Sequence, residues 1–430
     1  MNCFTYPSVG EIVYREKMKN GLELVVVPKK EFASSYAFFA TRYGGMDTRF
    51  KLGDTWIDTP AGIAHYLEHK MFDTEEGNAL QELAQNGAEP NAFTANHMTA
   101  YFFDSSEHFE DNLRILLSFV SVPYFTEESV NKERGIISQE IRMVEDNPDW
   151  QVYEQLMACL YRHHPARVPV AGSVESIAEI TEKTLYDCHR MFYTPSNMIL
   201  VVVGDVVPER IMEIAGEILP AAAGEAVERD YGEQEENTAA VPEAVKKMDI
   251  SLPNFLLGFK CDAAGDGEEQ MRLAMLGELT VDILVGESAP LFNRLYEAGL
   301  INNTFGGGYD ALPGLAMLYM GGESRDPHAV RDAVLEEAQR VVREGVDELR
   351  LKKLLRGNFG ETLRGFNDFE NIALALTEGY FRGYDAFRFP ELYASITAED
   401  VRGFIEKYLT RERMALSLIM PTEEETVCTE

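Results

Sequence analysis

The sequence lacks a long apolar run, a close cysteine pair and an excess of basic residues. Its longest apolar stretches, such as Met198 to Val203, have the length of a β-strand, whereas a membrane-spanning helix needs about 20 apolar residues. The first eleven residues contain neither a basic segment nor an apolar core, so we expect no cleaved secretion signal. These absences predict a protein that does not insert into a membrane.

Cysteine usage and charge narrow the class further. The five cysteines are odd in number, widely scattered and free of any C-x-x-C pair, which favours reduced thiols in the cytoplasm. With 39 basic and 72 acidic residues, the formal net charge is −33. Such a surface repels phosphate backbones and anionic lipids, so neither nucleic acid nor a membrane surface is expected as a partner.

What the sequence does contain is enough apolar material for a large folded protein. Its 430 residues are 45% hydrophobic, and both halves mix strand and helix patterns. An acidic segment rich in Ala and Gly, at 220–245, has no apolar periodicity and predicts a solvated linker. We therefore predict an α+β fold of two similar domains, 1–219 and 246–430, each a mainly antiparallel β-sheet packed with helices.

Several local elements can be predicted from pattern alone. A helix is expected from Pro60 to Phe72, with Thr59 as its N-cap, and a second from Thr126 to Asn147. Between them, a strand is expected at 92–103. The glycine run at 306–308 follows no phosphate-binding pattern and predicts a loop.

The first of these helices carries an H-x-x-E-H motif formed by His65, Glu68 and His69. Residues four apart lie on one helical face, so both imidazoles can reach one metal ion, with Glu68 close to that face. Zinc in hydrolases typically takes two His and one Glu and keeps a position for water, whose proton a nearby carboxylate can accept. The alternative is that these are unrelated, solvated side chains.

A third metal ligand is expected on the second helix. Glu133 and Glu140 are seven residues apart and share a face with Ile137 and Val144. Carboxylates on an otherwise apolar face need a partner, and a zinc ion would supply one. Spacing alone does not rank Glu133 against Glu140, and solvated charges at a helix edge are the alternative.

These motifs together resemble those of a known family. The chain is similar to the insulinase/pitrilysin zinc metallopeptidases, the inverzincins, and to their short processing-peptidase-like branch. The segments that carry the resemblance are the H-x-x-E-H motif followed by Glu140, Gly87 to Thr94 followed by Tyr101, Glu133 to Glu140, Ala171 to Ser173, and Tyr193 to Val206. The resemblance covers nearly all of 1–219 and, more loosely, the second half.

The resemblance implies roles for individual residues. His65, His69 and Glu140 would ligate zinc, Glu68 would be the general base, and Glu133 would support the site from behind the ligands. It also implies that the second domain binds no metal.

The resemblance further implies a strand that receives substrate. Asn91, Ala92, Phe93 and Thr94 match an edge strand onto which a peptide adds as an extra strand, recognised through its backbone. Ordinary sheet packing is the alternative for these residues.

Two departures from the family pattern affect the expected activity. The gap from His69 to Glu140 is 71 residues, a few fewer than usual. In the second half, Tyr296 stands where the family often has an Arg, and Asn302 or Asn303 stands near its Tyr. Because that pair stabilises the oxyanion, its loss would mean weak activity, a substitute donor, or a donor from a partner chain.

The function expected from the sequence is that of a zinc-dependent endopeptidase acting on peptides or unfolded segments, with a zinc-activated water and a Glu general base. The resembled branch forms dimers, so a homodimer or a heterodimer with a related subunit is expected. An acidic chamber would favour basic peptides. The alternatives are a weakly active or inactive partner or scaffold subunit, and a peptide-binding quality-control factor.

Overall fold

The computed structural model describes residues 1–30, 32–263, 265 and 267–422, and in these residues it contains sixteen strands and fifteen α-helices. The strands are β1 (Asn2–Tyr6), β2 (Glu11–Lys17), β3 (Glu23–Pro28), β4 (Ser35–Thr41), β5 (Arg49–Leu52), β6 (Thr55–Asp58), β7 (Asp73–Thr74), β8 (Gly77–Asn78), β9 (Glu89–Thr94), β10 (Thr99–Ser105), β11 (Met198–Gly204), β12 (Glu243–Met248), β13 (Asn254–Cys261), β14 (Gly306–Leu312), β15 (Leu315–Glu323) and β16 (Met414–Pro421). The helices are α1 (Ile63–Met71), α2 (Ala79–Gln85), α3 (Phe109–Ser121), α4 (Glu127–Glu145), α5 (Pro148–Leu160), α6 (Val174–Ala178), α7 (Glu182–Phe192), α8 (Pro208–Ile218), α9 (Glu268–Val285), α10 (Pro290–Glu297), α11 (Pro327–Glu344), α12 (Glu348–Gly365), α13 (Phe369–Arg382), α14 (Phe389–Ser395) and α15 (Ala398–Tyr408). The predicted α+β class is confirmed. No helix in the described ranges is long and apolar enough to cross a membrane.

The first compact unit is built on a seven-stranded sheet from 1–141, 168–231 and 360–390. Its strand order is β1-β2-β3-β11-β4-β10-β9, and every pair is antiparallel except β3 with β11. One face packs against α1, α2, α3, α4, α7 and α8 to form the apolar core. On β4, Ala37 and Phe39 point into that core. Because side chains alternate along a strand, Tyr36 and Phe38 lie on the opposite face.

The second compact unit is built on a five-stranded sheet from the described residues of 142–167, 232–359 and 391–430. Its order is β12-β16-β13-β15-β14, with only β12 and β16 parallel. Helix α5 packs on β16, β13 and β12, whereas α9 packs on β14 and β15. At Gly258 a Cβ would lie 2.8 Å from Leu156 Cδ1, so α5 approaches this strand closely because the position has no side chain.

The two units are discontinuous because each contains a helix from the other half of the sequence. Helix α5 precedes β11 of the first sheet in the chain but packs on the second sheet, and α13 packs on β11 and β4 of the first. Both helices carry local start signals: Asn147 caps α5 ahead of Pro148, and Asp368 caps α13. The assignment of 1–219 and 246–430 as two peptidase-like domains with a linker stays a prediction.

Local predictions were right where periodicity was strong and wrong where a turn interrupts it. Helix α4 and strand β11 lie where their patterns place them. The strand predicted at 92–103 is instead a hairpin, β9 and β10, whose turn includes a bond from Ala95 N to Met98 O of 2.8 Å. The predicted glycine loop at 306–308 is part of β14, where Gly307 lies so close to β15 that a Cβ would be 2.2 Å from Tyr319 O.

The segment predicted as a solvated linker is anchored at two points by ion pairs. In the first unit, Arg229 Nε lies 3.0 Å from Asp47 Oδ1, whose side chain is buried. In the second unit, Glu235 Oε2 lies 2.8 Å from the buried Lys260 Nζ and also accepts backbone N–H bonds from 162–164. These bonds lower the pKa of Glu235 to about 2 against the effect of its burial, which alone would raise it. Much of the segment therefore lies against the protein.

We predict that Glu235→Gln destabilises the second unit by about 3 kcal/mol, because it leaves the buried Lys260 charge without its partner. Urea unfolding measures the change. Glu233→Gln is the matched control, since its side chain is 86% exposed, and should change stability by less than about 0.5 kcal/mol. Equal stability of the two variants would contradict the structural role of the pair.

Candidate metal centre

Helix α1 begins at Ile63, three residues later than predicted, because Gly62 ends the preceding turn. Gly62 has φ 92°, which favours glycine, and a Cβ there would lie 2.4 Å from Ala171 O. At Gly172, which has φ 72°, a Cβ would likewise lie 2.4 Å from Ala61 O. Two glycines thus let the chain at 171–173 pack on the start of α1. Thr59, the predicted N-cap, and Pro60, predicted in the first turn, both lie before the turn at 61–62 that precedes the helix.

One turn further along, α1 brings its two imidazoles together. The rings of His65 and His69 have centroids 4.6 Å apart. Helix α4 supplies Glu140, whose Oε1 lies 3.3 Å from His65 Nε2 and whose Oε2 lies 3.4 Å from His69 Nε2. All three side chains offer a ligand atom within 4.8 Å of one another, and no other such group of His, Cys, Asp and Glu occurs in the part of the chain that the structure describes.

These separations match what a zinc ion requires. Zinc binds His and carboxylate ligands at about 2.0–2.1 Å in tetrahedral geometry, which separates neighbouring donor atoms by about 3.3–3.4 Å. Two neutral imidazoles and one carboxylate are also the donor set of many catalytic zinc sites. The side chains of His65, His69 and Glu140 therefore fit the metal that the sequence predicted.

Glu133 lies behind the pair of histidines instead of beside Glu140. Its Oε1 is 3.0 Å from His69 Nδ1, so the other ring nitrogen of His69 faces Glu140. Burial alone would lower the pKa of His69, but the bond to Glu133 and the nearby carboxylates outweigh it and raise the pKa. The hydrogen bond with His65 lowers the pKa of Glu140. The structure thus separates two glutamates that spacing could not rank. His65 Nδ1 is buried without a hydrogen-bond partner among the described residues.

Glu68 lies on the side of α1 that faces strand β9. Its side chain is 8% exposed, and Thr94 Oγ1 donates a hydrogen bond of 2.7 Å to Glu68 Oε2. Burial raises the pKa of Glu68, and His65 and the Thr94 bond offset only part of that effect. The bond from Thr94 was not foreseen, although its alternation with Phe93 indicated which strand residues face the helix. Tyr66 OH, which donates to Val130 O on α4, fixes the two helices to each other.

Strand β9 forms one edge of the first sheet. It pairs with β10 on one side, and no strand of the described residues pairs with it on the other. Thr94 reaches Glu68, while Asn91 and Phe93 point to the opposite face. The Phe93 ring lies 6.1 Å from Phe38 and 6.1 Å from Phe102. The four predicted substrate-binding residues, Asn91, Ala92, Phe93 and Thr94, are therefore consecutive residues of an edge strand that contacts α1.

The residues at the oxyanion-pair positions make local contacts in the second unit. Tyr296 is 53% exposed and stacks on Phe292 with ring centroids 6.0 Å apart. Asn302 Nδ2 donates a bond of 2.7 Å to Glu323, and its Oδ1 accepts from Thr304 N at 2.8 Å. Tyr296 lacks the charge of the Arg whose position it takes, and Asn302 is engaged by Glu323 and Thr304, so the departure seen in the sequence remains in the structure.

Comparison with known proteins establishes the family. Residues 57–174 match the family described as Insulinase (Peptidase family M16), and residues 179–358 match Peptidase M16 inactive domain. The uncharacterized zinc protease YmfH of Bacillus subtilis strain 168 is 36% identical over 426 residues, which cover 97% of this chain and 98% of YmfH. The chain belongs to the M16 family. The resemblance stated from the sequence is thereby confirmed.

Solved structures support the same fold for this M16 protein. A putative M16-like peptidase from Alicyclobacillus acidocaldarius has a TM-score of 0.92 and 28% identity, covering 96% of this chain and 99% of that one. A protease from Helicobacter pylori has a TM-score of 0.81 at 18% identity, covering 95% and 99% of the two chains. The second match shows a shared fold only.

We predict that the M16 protein binds zinc through His65, His69 and Glu140, the α1–α4 cluster. The affinity should depend on these ligands and also on the bond between Glu133 and His69. His69→Ala should abolish tight binding, and Glu133→Gln should weaken it by about 10–100-fold, because Glu133 orients the imidazole. Competition with a chromophoric chelator measures both. His328→Ala, at an exposed histidine of the second unit, is the control. Zinc binding that is insensitive to His69→Ala would place the metal elsewhere.

Proposed function

We propose that this chain is a zinc-dependent endopeptidase that cleaves peptides or unfolded segments. The observation that carries the proposal is the convergence of three side chains: the carboxylate of Glu140 lies 3.3 Å from His65 Nε2 and 3.4 Å from His69 Nε2. The buried Glu68 directly precedes His69 on the same helix, and the edge strand β9 lies beside it. The zinc protease names of its relatives support this reading. When bound, zinc would polarise the peptide carbonyl and make water more acidic.

In this proposal Glu68 is the general base. Its raised pKa reflects burial, and a carboxylate that is readily protonated can accept the proton of the attacking water and then return it to the leaving amine. The hydrogen bond that Thr94 Oγ1 donates to Glu68 Oε2 holds the Glu68 side chain in place. His65, His69 and Glu140 would hold the ion, and Glu133 would keep the His69 ring oriented.

Substrate would add to the open edge of β9. An extended peptide can form main-chain hydrogen bonds with the unpaired side of Asn91 to Thr94, which needs no particular side chain. Most strands of a folded protein are already paired or have protected edges, so this binding mode favours peptides and unfolded segments. Thr94 belongs both to this strand and to the bond that positions Glu68, and thus links binding to the base.

We predict that Glu68→Gln lowers kcat on a quenched-peptide library by at least about 10²-fold, because the amide cannot accept the proton of water. The isosteric change should leave zinc content unaltered. Glu82→Gln, an exposed change on α2, is the matched control. Wild-type rates in Glu68→Gln, or rates that survive removal of zinc by a chelator, would contradict the proposed chemistry.

The second candidate is a subunit that needs a partner chain for full activity. It is favoured by the departure at the oxyanion pair, where Tyr296 takes the Arg position and Asn302 or Asn303 lies near the Tyr position, since a lost oxyanion donor can cost about 3–4 kcal/mol of transition-state stabilisation. The partner would be a second copy or a related subunit. Zinc-loaded chain that binds peptides without cleaving them, and that gains cleavage when mixed with a related subunit, would favour this candidate.

We also propose that the chain acts in the cytoplasm. The cysteines 3, 159, 188 and 261 are all free thiols, and the first is exposed. Cys428 lies outside the described residues. Cell fractionation with an antibody to the chain tests the location.

A further inference from the structure

A second acidic site lies on the far face of the same edge strand. A pocket of about 590 Å³ opens between the ends of β4, β10 and β9 and the first turn of α13. Four carboxylates line it, from Glu89, Asp104, Asp368 and Glu370, and none of its lining residues is Lys or Arg. None of the four forms an ion pair within the described ranges. The pocket therefore concentrates negative charge that the protein does not neutralise.

Two of these carboxylates face each other across a strand pair. Glu89 on β9 is the direct partner of Asp104 on β10. Like charges in directly opposed positions destabilise a sheet, so this pair costs stability in the absence of a cation. Burial raises the pKa of Asp104, the hydrogen bond from Ser34 lowers it, and the charges of Glu89 and Asp368 raise it further.

The other two carboxylates belong to the start of α13. Asp368 is its N-cap and accepts bonds from the backbone N–H groups of Glu370 and Asn371. The helix dipole favours acidic residues there, which explains Asp368 and Glu370 without any ligand. It does not explain Glu89 and Asp104, which lie on strands.

A buried hydroxyl in the pocket has no partner. Tyr36 is 4% exposed, lines the pocket, and its OH makes no hydrogen bond within the described residues. A buried polar group without a partner costs free energy, and a group in the pocket that forms a hydrogen bond with the Tyr36 hydroxyl would remove that cost.

The walls suit an organic cation better than a metal ion. Two pairs of aromatic rings line the pocket. The ring centroids of Phe32 and Phe369 are 5.0 Å apart, and those of Tyr36 and Phe102 are 5.7 Å apart. Aromatic faces attract ammonium and guanidinium groups. The carboxylates do not converge as metal ligands do, since the described residues contain only the α1–α4 cluster with donor atoms that close together.

We propose that this pocket, the outer acidic pocket, binds an ammonium or guanidinium group of a peptide that lies along β9. The inference rests on the proposed function only in that the ligand is the peptide on the edge strand. Side chains of an added strand alternate between the two faces, so those that point away from α1 point toward the face of Asn91 and Glu89. Glu89 is five residues before Thr94, or about 16 Å along an extended strand. The pocket would therefore select a basic residue several positions from the cleaved bond.

The test is binding of fluorescent ten-residue peptides to the full chain in chelator, where cleavage cannot occur. One lysine is moved through successive positions of a neutral, N-acetylated host, and norleucine replaces it as the uncharged control. We expect affinity to rise about tenfold over a narrow window of positions. Glu370→Gln and Glu89→Gln should each abolish most of that rise, whereas Asp54→Asn, an exposed carboxylate on the β5–β6 hairpin, should keep it.

Further comparisons distinguish a lysine side chain from the peptide amino terminus as the bound cation. They also distinguish failure of the pocket inference from failure of the proposed function. If only the non-acetylated host gains affinity, the cation is the peptide amino terminus, which is the same chemistry in the same pocket. If the host binds but lysine gives no gain at any position, the pocket inference is overturned and the proposed function stands. If no peptide binds, both fall. Calcium binding without peptide that is lost in Glu370→Gln would also overturn the inference.

Stability measurements distinguish ligand recognition from a structural role. Asp104→Asn removes the opposed like charge, so it should leave Tm unchanged or raise it while weakening lysine-peptide binding. Tyr36→Phe removes an unpartnered hydroxyl and should also weaken binding without lowering Tm. A drop in Tm with unchanged selectivity for lysine would show that these side chains serve only the fold.

Discussion

The site depends on bringing three glutamates and two histidines into one partly buried cluster. Glu68, Glu133 and Glu140 would repel one another and lose hydration there, and this cost is offset only because each contacts an imidazole or a hydroxyl. The arrangement in turn requires α1 and α4 to keep their alignment, for which the bond from Tyr66 to Val130 O and the glycine contacts at the start of α1 provide fixed points. A divalent cation would add the missing positive charge.

In the proposed function, the edge strand β9 would bring substrate to this cluster, and its two faces differ in chemistry. An open edge exposes unpaired backbone groups and invites aggregation unless it is short, charged or interrupted by proline. Strand β9 has six residues, with a charge at Glu89 and a proline at 90. Those devices discourage pairing at its first residues and leave Asn91 to Thr94 open. Thr94 faces α1, and Asn91 faces the outer acidic pocket. The side chains of an added strand would therefore contact the α1 side with alternate residues and the pocket side with the others.

Most of the fold's local elements could be predicted, because periodicity and capping are properties of short segments. The H-x-x-E-H helix, α4 and β11 follow directly from their residues. The start of α1 could not be predicted, since it depends on the approach of 171–173, more than 100 residues away. The exchange of α5 and α13 between the two sheets could not be predicted either, because an apolar helical face indicates burial but not which sheet buries it.

The candidate site shows the same division between spacing and geometry. Seven residues on a helix place Glu133 and Glu140 on one face, but not at one height along α1. In the structure Glu133 meets the Nδ1 side of His69, and Glu140 lies between the Nε2 atoms of both histidines. Only the packing of α4 on α1 makes this distinction. The resemblance to the family assigns Glu140 to the metal and Glu133 to the support of the ligands, a distinction that helix spacing alone does not make.

The net charge of the chain and the charges of a single pocket act over different distances, and this difference affects substrate selectivity. A formal charge of −33 attracts basic peptides from a distance, but at physiological ionic strength its effect decays within about 8 Å of the surface. It raises encounter rates for any cation and does not select a sequence position. The four carboxylates of the outer acidic pocket, with its buried hydroxyl and aromatic walls, act instead on a side chain at contact distance. In the proposed function, positional selectivity would therefore come from this pocket, and the acidity of the whole chain would add only to the rate at which basic peptides arrive.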